Sequence, residues 1–320
     1  MTDNTALETV LQPISGSRAT ARIEGDRASI ILDVTGLDEA ARDAMERDVH
    51  AAAAGVAGIA TVRIAMTSQR TRRILIAVAS GKGGVGKSTV SANLAIGLKA
   101  LGRRVGLVDA DIYGPSQPKL MGVEGTRPTA KDKLLEPVPT PYGVPLLSMG
   151  QLVAADQAIA WRGPMAAGAL GQLIDADWAA QDTLVIDLPP GTGDVQLTMI
   201  QKHKPAGAVI VSTPQDLALI DARRAIDLFT KAGVPIIGLV ENMAGYICPH
   251  CGEISDPFGR GGAEAAAEAL GIDFLGRIPL DIAIRTKSDA GTPPAGGNGV
   301  EALAFNAVAQ RVFHWIEQGA

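Results

Sequence analysis

A glycine-rich segment at residues 81–89 constrains the fold of this chain more than any other feature. Its sequence, GKGGVGKST, fits the pattern G-x-x-x-x-G-K-[ST]. The segment comprises Gly81, Lys82, Gly83, Gly84, Val85, Gly86, Lys87, Ser88 and Thr89. The apolar residues 74–79 before it predict a buried strand, and residues 87–101 after it predict a helix. A strand, a glycine loop and a helix in this order are typical of a parallel α/β sheet.

The chemistry of this segment favours a phosphate ligand. Glycines allow several backbone N–H groups to turn inward, and the N terminus of the following helix favours negative charge. Lys87 would then pair with the β and γ phosphates of a nucleotide, and the Ser88 hydroxyl would bind magnesium. The alternative is a glycine-rich turn that binds nothing, which the complete motif between a strand and a helix disfavours.

Residues 74–320 continue to alternate short apolar strands with helices. The further predicted strands are residues 104–109, 183–187, 206–212 and 236–241. The further predicted helices are residues 217–232, 262–270 and 300–318, and the predicted loops are residues 112–144 and 291–299. Buried strands that alternate with helices predict an α/β fold with a doubly wound, mostly parallel sheet.

Residues 1–68 follow another pattern. The predicted elements are a strand at residues 27–35, an amphipathic helix at residues 37–54 and a strand at residues 60–66. They form a small α+β module, which the polar and basic residues 67–73 would link to the rest. We therefore expect two domains, the module at residues 1–68 and a P-loop domain with the Cys-x-x-Cys motif at residues 69–320.

The charge and hydropathy of the chain argue against nucleic-acid and membrane partners. Its 320 residues carry a formal net charge of −5, whereas a protein that binds a nucleic-acid backbone normally has a basic stripe. The N terminus has no basic segment followed by an apolar one. The alanine-rich residues 51–60 are too short to span a bilayer. We therefore expect a cytoplasmic location.

Acidic residues follow two of the predicted strands. Asp109 and Asp111 come at the end of one strand, and Asp187 and Asp194 come at and after the end of another. The carboxyl ends of parallel strands form the edge at which open α/β sheets bind ligands. Carboxylates at that edge can hold a magnesium-bound water or orient an attacking water. The alternative is that they cap the next turn or helix, which suits Asp194 equally well.

The only two cysteines of the chain, Cys248 and Cys251, lie three positions apart in the sequence CPHC. Two thiolates at this spacing can converge on one soft metal or cluster. They supply two ligands, whereas a zinc site or an iron–sulfur cluster usually has four. A symmetric dimer would bring four thiolates to its two-fold axis. A bridging 4Fe–4S cluster, a zinc ion shared across a dimer, a redox pair and an inert pair of thiols all remain open.

Several further motifs follow one another in the order of a known family. They are GKGGVGKST, DADIYGPSQP at 109–118, WRGPM at 161–165, DLPPGTGD at 187–194, TPQD at 213–216, ENMAGYICPHCG at 241–252 and IPLD at 278–281. Together they resemble the Mrp/ApbC family of iron–sulfur cluster carrier ATPases over residues 72–318. Lys82, in the pattern K-G-G-x-G-K-[ST], resembles the second loop lysine of the wider MinD/ParA/nitrogenase-iron-protein class.

The resemblance implies roles for individual residues. Lys82 would reach the nucleotide of the partner subunit in an ATP-sandwich homodimer. Asp109 and Asp187 would join Ser88 in the magnesium shell. Asp111 would position the hydrolytic water, and the implied catalytic residues are Lys82, Lys87 and Asp111. The remaining implied nucleotide contacts are Gly191 near the γ-phosphate and Asn242 and Pro279 near the adenine.

The resemblance also implies a cargo. A labile 4Fe–4S cluster would bridge Cys248 and Cys251 of two subunits, and its delivery would depend on ATP and Mg²⁺, with slow hydrolysis. The partners would be apo iron–sulfur proteins and a cluster-assembly scaffold. Residues 1–68 depart from the family pattern, because an Asp-Pro-Glu segment and a cysteine before the helix are absent. We therefore expect a docking or structural role, without metal, for this module.

Two alternatives share the phosphate loop. A MinD/ParA-like switch ATPase with a structural zinc at the cysteine pair would need a basic amphipathic helix for a membrane or a basic surface for DNA. Residues 300–320 carry only Arg311 and His314 as basic groups. A nitrogenase-like reductase would place its cluster cysteines far apart in the chain, and here they are three positions apart.

Overall fold

The computed structural model describes residues 4–34, 37, 39–67, 73–112, 114–131, 134–152, 163–179, 181–248 and 250–319. The chain folds into two compact units, Met1–Arg72 and Arg73–Ala320. The predicted boundary between residues 68 and 69 and most of the predicted linker lie outside the described residues. The division of the chain at that point therefore stays a prediction.

Within the described residues, the first unit is a three-stranded sheet that packs against two helices. Its elements are α1 (Asn4–Ser15), β1 (Ala19–Glu24), β2 (Arg27–Asp33), α2 (Glu39–Ala54) and β3 (Thr61–Thr67). β2 pairs antiparallel with β1 and parallel with β3. Leu7 and Leu11 of α1 lie with Ile30 and Leu32 of β2 in a separate core. The sequence prediction omitted α1 and β1, and Pro13 weakens the helical pattern of α1.

The second unit contains the phosphate-loop segment and all of the other elements. Its strands are β4 (Ile74–Ala79), β5 (Val105–Asp109), β6 (Thr129–Lys131), β7 (Leu134–Glu136), β8 (Leu146–Ser148), β9 (Thr183–Asp187), β10 (Gly207–Ser212), β11 (Ile236–Ile247), β12 (Ile254–Ser255) and β13 (Phe274–Leu280). Its helices are α3 (Lys87–Ala100), α4 (Gln117–Leu120), α5 (Gly163–Ile174), α6 (Asp194–Thr198), α7 (Asp216–Lys231), α8 (Gly262–Leu270), α9 (Ile282–Asp289) and α10 (Ala302–Glu317).

The central sheet of the second unit is mostly parallel. Its strand order is β12-β11-β10-β4-β9-β5-β8, and β13 also pairs with β11. The pairing of β12 with β11 is antiparallel, and the other pairs of this sheet are parallel. Ile76 and Val78 of β4 face a core with α3 and α10, and Ala77 and Ala79 face a core with α5, α7 and α8. These two cores confirm the predicted doubly wound α/β fold.

Several elements differ from the prediction. β11 continues past its predicted end at residue 241 as far as Ile247, because β12 pairs with Tyr246 and Ile247. The predicted loop at residues 112–144 contains α4, β6 and β7, and the prediction omitted β8, α5, β13 and α9. Trp161 and Arg162 of the WRGPM motif lie outside the described residues. None of the helices that the described residues form is long and apolar enough to cross a membrane.

Candidate functional site

The predicted phosphate loop connects β4 to the first residue of α3. Gly84 and Gly86 have φ angles of +80° and +79°, in the left-handed region that favours glycine. Gly81 is required for another reason, since a side chain there would overlap the backbone of Asp221 in α7. The loop therefore has the conformation in which backbone N–H groups can surround an anion at the start of a helix.

Asn242 of β11 holds the phosphate loop from the side. Its side-chain Nδ2 donates a hydrogen bond of 2.8 Å to the backbone carbonyl of Val85. A side chain at Gly86 would overlap the Asn242 amide, so the glycine allows this close approach. Asn242 pairs with Ile278 of β13, which puts the half-buried Pro279 next along that strand. The contact of Asn242 and Pro279 with an adenine stays a prediction.

Lys87 is buried among the predicted catalytic and magnesium-binding residues. Its Nζ atom lies 2.6 Å from Oδ1 of Asp187 and 3.7 Å from Oδ2 of Asp111. Nζ also lies 3.5 Å from the Ser88 hydroxyl oxygen. Only 6% of the Lys87 side chain is exposed, so the pair with Asp187 is a buried ion pair. The structure thus brings together four residues that the sequence places on three separate segments.

Asp109 and Asp187 lie side by side at the carboxyl ends of β5 and β9. The parallel register pairs them directly, and both are fully buried. Burial, together with the charge of Asp187, raises the pKa of Asp109 to about 7, although hydrogen bonds from Gln117, Ser148 and Asp111 oppose the shift. Two buried carboxylates lie beside one lysine here, so a bound cation would stabilise their charged forms.

Three residues that the sequence analysis did not assign hold these carboxylates. The Ser91 hydroxyl donates to Oδ1 of Asp187 at 2.9 Å, and Nε2 of Gln117 donates to Oδ2 of Asp187 at 2.9 Å. The Ser148 hydroxyl donates to Oδ2 of Asp109 at 2.9 Å. Ser91 lies one helical turn after Lys87, and that spacing was the one signal in the sequence that could have identified it.

The donor chemistry of this position fits magnesium. Asp109, Asp187 and Ser88 offer the carboxylate and hydroxyl oxygens that this ion prefers, and magnesium keeps several of its waters when it binds a protein. The Oε1 atom of Gln117 is buried beside them and, within the described residues, accepts no hydrogen bond. A hydrated cation would bring donors to such an acceptor.

Gly191 and Lys82 complete the predicted nucleotide contacts. Gly191 has a φ angle of +89°, and its N–H donates to the Ser80 carbonyl at 2.9 Å. That N–H must leave Ser80 before it can contact a phosphate. Lys82 is half-buried, and its ammonium group makes no hydrogen bond or ion pair with the described residues. The side chain of Asp194, which begins α6, lies outside the described residues.

The two thiols lie in a hairpin directly after β11. The N–H of Gly252 donates to the Cys248 carbonyl and the N–H of Cys248 donates to the Glu253 carbonyl, both at 2.9 Å. Cys251 is exposed, Cys248 is half-buried, and the two cysteines form no disulfide. Backbone N–H groups of Cys251 and His250, and then the Cys251 thiol, lower the pKa of Cys248 by hydrogen bonding. The hairpin therefore presents two thiols, one of them biased towards the thiolate.

The cysteine pair has no further protein ligand beside it in the part of the chain that the structure describes. Among those residues, no group of three or more histidine, cysteine, aspartate or glutamate side chains could hold a metal ion. His250 is exposed. One chain thus offers two thiolates at this position.

The phosphate loop at the end of β4, the acidic ends of β5 and β9 and the strand order around β4 define a P-loop NTPase. Residues 71–313 match the family described as ParA, NUBPL iron-transfer P-loop NTPase. The chain belongs to this family, which confirms the resemblance found in its motifs.

Relatives and a solved structure support the same assignment. An iron–sulfur cluster carrier protein of Pseudomonas fragi is 49% identical over 249 residues, which are 77% of this chain and 83% of the relative. One of Deinococcus radiodurans is 45% identical over 303 residues, 91% of this chain and 86% of the relative. A nucleotide-binding protein of Archaeoglobus fulgidus in complex with ADP has a TM-score of 0.62 and 41% identity, over 72% of this chain and 90% of that one.

Proposed function

We propose that this protein is an ATP-dependent carrier of a 4Fe–4S cluster. Two copies of the chain would hold the cluster at Cys248 and Cys251, hydrolyse ATP with Mg²⁺ and transfer the cluster to apo iron–sulfur proteins. The observation that carries the proposal is the position of the two cysteines, on an exposed hairpin at the end of the strand that holds the phosphate loop.

The hairpin has the properties that a transferable cluster needs. The lowered pKa of Cys248 favours the thiolate, which is the form that binds iron. Exposure of Cys251 leaves the site open to a donor or recipient protein. Because one chain offers two thiolates and such clusters usually have four, a two-fold dimer would complete the ligand set. The names of the relatives, iron–sulfur cluster carrier proteins, support this reading of the hairpin.

The residues of the nucleotide site suit the hydrolysis of ATP, which we expect to be slow. Lys87 would exchange Asp187 for the β and γ phosphates, while Ser88, Asp109 and Asp187 would hold the metal. When bound, magnesium neutralises charge on the phosphates. Asp111 would orient a water toward the γ-phosphorus. The new oxygen–phosphorus bond forms as the bond to the bridging β–γ oxygen breaks, which yields ADP and phosphate.

β11 is a direct connection between the two sites. Asn242 contacts the phosphate loop, and Cys248 directly follows the same strand. Between them, Met243 and Gly245 have φ angles of +58° and +71°, and the register with β13 shifts after Asn242. A movement of the loop on nucleotide exchange would therefore reach the thiols through a short, bent segment.

A MinD/ParA-like switch ATPase with a structural zinc at the cysteines has less support. A zinc ion shared across the dimer would use the same four thiolates, but exposure of Cys251 suits a cargo that a recipient protein must reach. The match to an iron-transfer family also favours a cargo over a structural ion. We propose that the partners are a second copy of the chain, a cluster-assembly scaffold and apo-proteins in the cytoplasm, and not nucleic acid or a membrane.

The proposal is tested by anaerobic reconstitution with iron and sulfide. We expect about four irons per dimer and thiolate-to-iron absorption bands that the Cys251→Ala variant loses. Size-exclusion chromatography of the same samples should show iron only in the dimer. One zinc per dimer and no stable iron would instead make the hairpin a structural clip.

A further inference from the structure

Gln117 touches three parts of the proposed magnesium site at once. It is the first residue of α4 and is fully buried. Its Nε2 donates hydrogen bonds of 2.9 Å to the Ser88 carbonyl and to Oδ2 of Asp187. Its backbone N–H donates to Oδ2 of Asp109 at 3.1 Å. One residue thus connects the phosphate-loop helix with the ends of β5 and β9.

These contacts fix the orientation of the Gln117 amide. The Ser88 carbonyl can only accept a hydrogen bond, and so can the carboxylate oxygen of Asp187, so the amide nitrogen must face both. The Oε1 atom then points elsewhere, and it is buried without a donor from the described residues. A buried polar atom without a partner is unfavourable, so Oε1 would be stabilised by a partner that lies outside the described residues.

The surroundings of Gln117 indicate what that partner is. The groups that its amide and backbone hold, Ser88, Asp187 and Asp109, are the proposed ligands of magnesium. Magnesium dehydrates reluctantly and keeps waters when it binds through few carboxylates. A water bound to the ion is a hydrogen-bond donor, whereas the proposed protein ligands present mainly acceptors.

We propose that Gln117 is a positioning residue for magnesium. Its Oε1 accepts a hydrogen bond from a metal-bound water, and its Nε2 fixes Asp187 and the Ser88 backbone. This inference rests on the proposed nucleotide site. Gln196 is also fully buried with an Oε1 that lacks a donor among the described residues. Its Nε2 donates to the Pro189 carbonyl, and among the described residues it makes no hydrogen bond with the proposed magnesium ligands.

The Gln117→Met variant tests the proposal, because methionine has a similar length and no amide. Binding of Mn²⁺, as a substitute for Mg²⁺, is measured by electron paramagnetic resonance at saturating ADP. Binding of ADP without divalent metal is measured by calorimetry. We expect Mn²⁺ affinity to fall by about tenfold or more, the usual effect of removing a group behind the metal ligands. Metal-free ADP affinity should change by less than about twofold, because Gln117 is not a proposed nucleotide contact.

Gln196→Met is the matched control and should leave Mn²⁺ affinity unchanged. Gln117→Asn has a side chain one methylene too short to reach both acceptors, so it should show the same loss of Mn²⁺ affinity. This variant replaces Gln117→Met if circular dichroism shows that the methionine variant does not fold. An unchanged Mn²⁺ affinity in a folded Gln117 variant overturns the proposal, and so does an equal loss of metal-free ADP affinity. If the wild-type protein binds no ADP, the proposed function itself fails.

Discussion

At the scale of residues, the site is governed by charges that are buried close together. Asp109 and Asp187 are adjacent and fully buried, and Lys87 is the cation paired with Asp187. Burying a charge is costly unless it is paired and hydrogen-bonded. The hydroxyls of Ser91 and Ser148 supply part of that pairing. The second buried carboxylate destabilises the protein without ligand, and it leaves carboxylate oxygens for a cation to bind.

The Lys87→Ala variant should lose both activity and stability. ATP hydrolysis should fall by about a hundredfold or more, because the phosphates lose their cation. The free energy of unfolding should fall by about 3 kcal/mol, because Asp187 then remains buried without its partner. Phosphate release and urea unfolding measure the two effects.

A second substitution separates these two effects of Lys87. Lys87→Ala combined with Asp187→Asn should recover most of the lost stability, since no uncompensated charge remains at that position. Hydrolysis should not recover. Wild-type turnover in the single Lys87→Ala variant would contradict the assignment of the phosphate site.

The thiol of Cys248 should react with iodoacetamide at a lower pH than a free cysteine does. The thiolate is the reactive form and its fraction rises with pH through the pKa, so the lowered pKa of Cys248 moves the midpoint of the rate profile down. The metal-free protein is used, and peptide mapping identifies the alkylated residue. Cys251→Ala should raise the midpoint only in part, because the backbone donors remain. A midpoint at or above that of free cysteine would rule out an activated thiol.

At the scale of elements, β11 has the largest functional consequence. It runs between β10 and β13 in the sheet, past the phosphate loop at Asn242, to the hairpin that carries the thiols. Met243 has a left-handed backbone that is unfavourable for a residue with a side chain. Such strain is typical of segments that have a functional reason to be held in one conformation.

The Asn242→Ala variant should weaken the connection along β11. In the wild-type protein, we expect a non-hydrolysable ATP analogue to change the alkylation rate of the thiols by on the order of fivefold, a typical coupling between two sites. In the variant, the analogue should change the alkylation rate much less, because the hydrogen bond from Asn242 to the Val85 carbonyl is lost. Asn298→Ala, at an exposed asparagine in a loop, is the control and should keep the full response. An equal response in Asn242→Ala would show that the coupling takes another path.

Elements were predicted best where the sequence has a strong local pattern. β4, β9 and α8 have the predicted bounds, because mostly apolar strands and an alanine-rich helix carry a clear signal. β8 has only three residues, which are too few to show a periodic pattern of apolar and polar residues. The roles of Gln117 and Ser148 could not be predicted, since they depend on which segments the strand order brings beside Asp109. Local patterns thus located the loop and the thiols, but not the residues that support them.

At the scale of the whole molecule, the proposed homodimer accounts for two features of a single chain. The described residues of one chain offer two thiols as ligands, and the ammonium group of Lys82 makes no hydrogen bond or ion pair with the described residues. Both observations suit a symmetric pair of chains, in which each copy completes the sites of the other.

The Lys82→Ala variant tests the assembly directly. Its affinity for ADP, measured by calorimetry, should stay within about twofold of the wild type, because the loop glycines and Lys87 provide most of the binding within one chain. Hydrolysis of ATP and nucleotide-dependent dimerisation should fall strongly, since the lysine is proposed to act on the nucleotide of the partner. Lys202→Ala, at an exposed lysine, is the control. Dimerisation at the wild-type level in Lys82→Ala would contradict this role.

The proposed division of the thiol ligands between two chains would make retention of the cluster depend on the protein concentration. A cluster bound entirely by one chain would stay bound on dilution, whereas a shared cluster is lost as the two copies separate. The protein concentration at which half of the cluster remains bound should therefore follow the dissociation constant of the dimer. In a cell that makes little of this protein, a nucleotide that stabilises the dimer would lengthen the time for which the cluster stays bound. Any event that weakens the dimer would release the cluster.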